Sequence, residues 1–560
     1  MLRLYRPRKK FKAEIQPDEI FADSANVGQL DIERFEGRIE RPLGRRSLLL
    51  MLSLMGFFFV LYVGRAFDLQ FVHGAAYATQ AAENKLAADV VFADRGIIVD
   101  RNNLPLASND RTSVEEDFAK RVYSTLPGLA HVIGYTKAPA KDSSGFYFRD
   151  SYEGIDGAEQ IFNDVLAGQN GLRLTETDAR GKTVSESTQR FPESGEKITL
   201  SIDAGVTSGL YEAIVNRATA SGFQGGAAII MDIETGELIS LTSYPEYSPT
   251  ALSNGDQEAL KSLLSDKRQP FLDRAITGLY APGSIVKPIV GLAALTEGVI
   301  DENKQILSTG SISIPNPYDP SKPSIFRDWR AHGLVDLRRA IAVSSDVYFY
   351  EVGGGYKDQK GIGIDKLDYY FRLFGFGNPT GIEGLTEPAG TIPTPEWKLK
   401  TFNGDPWRVG DTYNTSIGQY GVQITPLQAV RATAAIANSG KLLTPTLLAS
   451  STPMVAKYIS LPEHNYEVVR EGMRQGVTDG IAQAMNLPYV HVAAKTGTAQ
   501  VGAHNEYINS WVVGFFPYEK PKYAFAMVLE KGPANTTVGA APAMGQFFIW
   551  LNEHFPQYLH

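Results

Sequence analysis

Residues 47–64 carry no charged side chain, and they include Leu48 to Leu50, Phe57 to Phe59 and Val60. Eighteen helical residues rise roughly 27 Å, enough to cross the hydrocarbon core of a bilayer with little tilt. A cleaved signal peptide would have a shorter apolar core and a shorter segment before it. Ala76-Tyr77-Ala78 resembles a cleavage site but lies too far beyond the run. A buried core helix would alternate polar and apolar faces, and this segment does not. The run therefore reads as a single signal anchor. Arg41, Arg45 and Arg46 on its N-terminal flank place that end in the cytoplasm and the remainder of the chain outside it.

Residues 1–46 are polar and charge-rich, with Arg3, Arg6, Arg8, Lys9, Lys10 and Lys12 near the start, and read as a poorly ordered cytoplasmic tail. The formal charge of the whole chain is -8, and no basic face stands out beyond the N-terminus, which excludes nucleic acid as the main partner. Cysteine is absent. Disulfides, thiolate metal sites and cysteine nucleophiles are excluded with it.

Beyond the anchor, residues 65–200 read as a modest mixed module. Arg95 to Ala107 suggests a strand, a turn at Asn102-Asn103 and a second strand. Gly154 to Glu159 leads into a helix over 160–166 that stops at Gly168 and Gly171. This module is a pedestal with no sign of catalysis. Residues 201–560 read as a larger α/β domain. The pattern predicts a helix over 210–218, strands over 226–233 and 237–243 joined by a hairpin at Glu234-Thr235-Gly236, and a helical middle. Strands return over 490–495, 510–516 and 523–529, and a helix over 543–554 closes the chain. Strands at both ends with helices between them predict one antiparallel sheet built from the two termini.

Three short motifs carry the chemistry. In Tyr280-Ala281-Pro282-Gly283-Ser284-Ile285-Val286-Lys287-Pro288, Pro282 and Gly283 break the chain and Ser284 opens an apolar helix. Lys287 falls on the same helix face, so an amine stands beside a hydroxyl. Ser344-Ser345-Asp346 lies inside a helical run over 335–350, and Lys495-Thr496-Gly497-Thr498 ends an apolar strand. Such a strand end offers fixed charge and hydroxyls for a carboxylate, with Gly497 permitting close approach of a substrate backbone. Each motif alone is weak; the ordered triple is specific. His332, near Asp328 and Trp329, reads as a structural loop histidine, His491 and His504 have no partner at metal spacing, and Phe515, Phe516, Phe547 and Phe548 read as core.

The triple is similar to the S-x-x-K, S-x-N/D and K-T-G set of the penicillin-recognising serine acyltransferases. Arg95 to Ala107 resembles the R-G-x-I-x-D-R-N-G-x-x-L-A signature of class B penicillin-binding proteins, and Gly154 to Glu159 resembles their G-x-x-G-x-E. The surroundings of Ser284 and Ser344, with Gly410 to Gln419, look like the elongation type rather than the septal one. Asn103 replaces the usual glycine but can adopt the same positive φ, and the head over 107–152 is short.

The resemblance implies a transpeptidase domain with an antiparallel sheet flanked by helices, a smaller pedestal and one membrane helix. It implies a D,D-transpeptidase that cross-links peptidoglycan stem peptides during elongation, binds β-lactams covalently and needs no metal or cofactor. Ser284 would be the nucleophile, Lys287 its base, Ser344 a proton relay and Asp346 an acceptor fixing the lysine or the substrate. Lys495, Thr496 and Thr498 would hold the terminal carboxylate. Because no glycosyltransferase module follows the anchor, the resemblance also implies a separate SEDS-type membrane polymerase as partner. A D,D-carboxypeptidase differs only in its acceptor. A β-lactamase would need a water-activating group and would have no use for an anchor and spacer. A β-lactam sensor would need more spans and an effector, and a silent scaffold would not need intact Ser284, Lys287 and Lys495.

Overall fold

The computed structural model describes residues 44–83, 86–112, 117–177, 183–316, 319, 321–450 and 452–560. Most of the expected tail, residues 1–43, lies outside them. The anchor forms helix α1, Arg45–Phe67, which continues through a π-helical turn at Asp68–Val72. The span Arg45–Val72 is long and apolar enough to cross a membrane, and none of the residues in its hydropathy window is buried. The helix outruns the apolar stretch because its flanking charged residues are good helix formers, and Arg65 pairs with Asp68 at 2.6 Å one turn on.

In the pedestal, strands β1 (Ile98–Val99), β2 (Pro105–Asp110) and β3 (Lys120–Tyr123) form a sheet to which Ile198–Thr199 adds in parallel beside β1. The expected turn between β1 and β2 is present, with Asn103 at φ 63°. The helix expected over 160–166 is instead two short ones, Gly157–Ile161 and Asn163–Ala167, separated at Phe162. A buried ion cluster pins this module: the Glu159 carboxylate accepts from Arg95 Nε at 2.6 Å and from Arg121 Nε at 2.7 Å.

Hydrogen bonds tie the pedestal to the large domain. Asp100 accepts from Ala204 N at 3.2 Å, at the first turn of helix α2 (Ala204–Ser221), and Asn102 donates to Asp203 at 2.9 Å. Glu246 accepts from Gly128 N and Ala130 N at 2.8 and 3.0 Å.

The large domain holds the sheet the sequence implied. Strands β4 (Gly225–Asp232), β5 (Leu238–Tyr244), β6 (Ala493–Val501), β7 (Tyr507–Phe516) and β8 (Tyr523–Pro533) lie in the order β5-β4-β8-β7-β6, all antiparallel. Both faces are buried, so the strands read as continuous apolar runs rather than alternating ones. Ile229, Trp511, Val513 and Val528 face the core shared with the middle helices, while Ile230, Val512, Phe525 and Leu529 face α2 and the final helix. The aromatics Phe515, Phe516, Phe547 and Phe548 are core, as expected.

Candidate active site

The turn that carries Ser284 is shaped by two glycines. Gly283 has φ 56°, and a Cβ there would meet the Thr498 carbonyl oxygen at 2.7 Å. A Cβ on Gly497 would meet the Pro282 carbonyl oxygen at 2.7 Å and Ile285 Cγ2 at 2.9 Å. Gly497 therefore lets β6 press against the Ser284 turn itself. Gly283 N donates to Gly418 O at 2.9 Å, and Trp511 Nε1 donates to Ala281 O at 3.0 Å. From Gly283 a single 3₁₀ turn runs into helix α3, Lys287–Thr296, which begins with Lys287 and has Pro288 in its first turn, where a proline costs no hydrogen bond.

The Ser344-Ser345-Asp346 motif is not inside one helix. Helix α4 (Leu337–Val343) ends, Ser344 takes a left-handed conformation (φ 60°, ψ 43°), and Ser345 caps helix α5 (Asp346–Gly354) by accepting from Tyr348 N at 3.3 Å. A left-handed serine is strained by about 1–2 kcal/mol, and the surroundings hold it there. The Asp328 Oδ2 atom accepts from Ser345 Oγ at 2.9 Å, Val347 N at 3.0 Å and Ser308 Oγ at 3.2 Å. The break turns both the carbonyl and the hydroxyl of Ser344 toward Lys287.

Nor does the Lys-Thr-Gly motif end its strand. It sits within β6, which starts at Ala493 and runs on through polar residues to Val501 at the edge of the sheet.

These pieces meet. Lys287 Nζ donates to Ser344 O at 2.9 Å, Ser344 Oγ at 3.2 Å and Asp346 Oδ1 at 2.6 Å. Lys495 Nζ donates to the same Ser344 Oγ at 2.9 Å and to Thr496 O at 2.8 Å. One hydroxyl thus bridges two buried amines, with a single carboxylate one bond away. Burial pushes the Lys495 amine well below its ordinary proton affinity; the Lys287 charge adds to the effect, and Asp346 opposes it. Ser284, Ser344, Asp346, Thr496, Gly497 and Thr498 line one cavity of about 590 Å³, with Trp329 on its wall. The grouping is a serine hydroxyl on the cavity wall, two buried amines that share a second hydroxyl, and a hydroxyl-lined strand edge. It can form and resolve an acyl-serine ester on a substrate ending in a carboxylate.

Asp328, which the sequence offered only as a neighbour of His332 near the cleft, supports the break at Ser344 through Ser345 and Val347. His332 lies in a loop as expected, its ring shut from solvent with Nε2 3.4 Å from Asp328. Burial lowers its proton affinity.

A sheet of this order, with a serine–lysine turn beside an edge strand bearing Lys-Thr-Gly, defines a penicillin-recognising serine acyltransferase. The family model described as penicillin binding protein transpeptidase domain matches residues 226–547, and the penicillin-binding protein dimerisation domain matches residues 112–200. The peptidoglycan D,D-transpeptidase MrdA of Haemophilus influenzae is 32% identical over 79% of this chain and 70% of its own length. Among solved structures, penicillin-binding protein 2 of Pseudomonas aeruginosa in complex with WCK 5153 matches with TM-score 0.68 and 30% identity, over 83% of this chain and 97% of that one. Penicillin-binding protein 2 of Helicobacter pylori, in complex with MreC, matches with TM-score 0.69 and 27% identity, over 84% and 99%. The chain belongs to the penicillin-binding protein transpeptidase family, and within it to the elongation-type class B D,D-transpeptidases.

Proposed function

We propose that the chain cross-links peptidoglycan stem peptides through an acyl-enzyme on Ser284 while the wall elongates. The observation that carries this reading is the shared Ser344 hydroxyl, 3.2 Å from Lys287 and 2.9 Å from Lys495, beside a cavity lined by Ser284 and Thr496 to Thr498.

Ser284 Oγ attacks the carbonyl joining the last two D-alanines of a donor peptide, and Lys287 takes its proton. The C–N bond breaks, and Ser344, in contact with both amines, delivers a proton to the departing D-alanine. An amine from a second stem peptide then attacks the ester, forming the cross-link and returning the proton to Ser284. Lys495, Thr496 and Thr498 hold the terminal carboxylate of the donor. The N–H groups of Ser284 and Thr498 face the developing oxyanion, each worth about 3 kcal/mol in sites of this kind. Asp346 fixes Lys287.

α1 anchors the chain with its N-terminus in the cytoplasm, in line with Arg41, Arg45 and Arg46, and the pedestal of residues 65–200 carries domain 201–560 on the outer face. The match to the transpeptidase family model supports cross-linking. Glycan polymerisation then falls to a SEDS-type membrane polymerase contacted through the anchor and pedestal. Co-purification that survives exchange of both segments would contradict that contact.

The test of the reaction supplies lipid II and a polymerase and analyses the muropeptides by mass spectrometry. Cross-linked dimers should form with loss of D-alanine, and Ser284→Ala should give none. Trimmed monomers without dimers would replace the transpeptidase reading with a carboxypeptidase.

A further inference from the structure

We propose that Glu530 is a positioning residue for the Ser284 turn, acting through Tyr280 and Arg274; this rests on Ser284 being the nucleophile. Glu530 lies in β8, on a different strand from every motif residue, and its side chain is buried. Its Oε2 accepts from the Tyr280 hydroxyl at 2.8 Å, and its Oε1 accepts from Arg274 Nε at 2.9 Å, with Arg274 Nη2 in ion-pair contact at 2.8 Å. Tyr280 is four residues ahead of Ser284.

The trio is built for. A Cβ on Gly225 would meet Arg274 Nε at 2.5 Å and Glu530 Oε1 at 2.9 Å. A Cβ on Gly278 would meet Tyr280 Cε2 at 2.5 Å and the Tyr280 hydroxyl at 2.7 Å. Two glycines thus leave the space these side chains fill. Three further hydrogen bonds run from Arg274 to the carbonyls of Gln269 at 3.1 Å, Leu272 at 3.4 Å and Arg268. Burial and the Glu530 charge keep the Tyr280 phenol protonated, and hence a donor.

The trio also holds the segment leading to the nucleophile. Tyr280 exchanges both backbone hydrogen bonds with Ile424, each 3.0 Å, and its ring meets Trp511 edge-on at 6.0 Å. The same tryptophan holds Ala281 O. With Tyr280 fixed by side chain and backbone, and Ala281 by Trp511, only Pro282 and Gly283 stand between a rigid sheet and Ser284. Acyl transfer depends on placing the attacking oxygen to within a fraction of an ångström, and an error of about 1 Å costs roughly a hundred-fold.

The experiment measures acylation of the full chain in detergent by a fluorescent penicillin, separating the pre-covalent dissociation constant from the acylation rate constant. Tyr280→Phe deletes one oxygen and leaves the Glu530–Arg274 pair, so the chain should still fold cooperatively, with a melting temperature lowered by the unpaired Glu530 Oε2. Its acylation rate constant should fall roughly ten- to a hundred-fold with the dissociation constant unchanged. Glu530→Gln should fall at least as far, and the double variant no further than Glu530→Gln alone. Acylation of Tyr280→Phe at the wild-type rate, with the label still on Ser284, would overturn the positioning role. So would a loss confined to the dissociation constant, or additive losses in the double variant. A label that maps away from Ser284 in the wild-type chain would instead overturn the nucleophile assignment, which keeps the two failures distinct.

Discussion

Two buried clusters of this molecule set a pair of cations beside a single carboxylate, to opposite ends. In the pedestal, Arg95 and Arg121 grip Glu159, and all three side chains are 1% exposed or less. In the cleft, Lys287 and Lys495 share Ser344, with Asp346 beside them and 20% exposed. Guanidinium stays charged at any pH a protein survives and binds in a fixed fork, so the pedestal cluster is a permanent staple. Burial lowers a lysine's proton affinity, as it does at Lys495. The residue type separates holding from reacting, even where charge count and burial are nearly alike.

The comparison breaks most sharply at Lys287. Lys287→Arg replaces an amine that can give up and take back a proton with a guanidinium that cannot, so penicillin acylation should drop by roughly a hundred- to ten-thousand-fold. Arg95→Lys should leave acylation per folded molecule unchanged. In the pedestal, Glu159→Gln strands two buried guanidiniums, and chemical denaturation should show a loss of about 3–5 kcal/mol with acylation of the folded fraction intact.

Lys495 sharpens the contrast through pH. Its folded proton affinity lies well below 10.5. Between that value and 10.5 the unfolded chain binds the proton and the folded chain does not, so stability rises with pH across the window. Melting curves of Lys495→Met should lack this rise relative to wild type. The smallest effect is expected at Asp346. Because its charge opposes the lowering at Lys495, Asp346→Asn should move the acidic limb of the acylation profile to lower pH and change the neutral rate only a few-fold.

How far the sequence reveals this site depends on the range of each interaction. Ser284 with Lys287, and the Lys495 strand, announce themselves locally, because spacing and apolar context suffice to place them. The break at Ser344 does not, since residues 335–350 are apolar enough to read as one helix, and the group that reverses the backbone is Asp328, bonded to Ser345 and Val347. The pattern cuts β6 short because its second half interleaves the polar Thr496, Thr498 and Gln500 with the small buried Gly497 and Ala499. Gly497 is legible as a close approach, yet its neighbour is Pro282, which only the packed turn reveals. Glu530 bonds a residue 250 positions away and leaves no local trace. The antiparallel sheet from both termini is readable, because five strands buried on both faces are strongly apolar.

The central claim turns on which oxygen accepts the acyl group. The full chain should be labelled with penicillin, digested and sequenced by mass spectrometry, alongside Ser284→Ala. The account predicts a single acyl adduct on the peptide containing Ser284 and no adduct in the variant. An adduct on another residue, or undiminished labelling of Ser284→Ala, would contradict it.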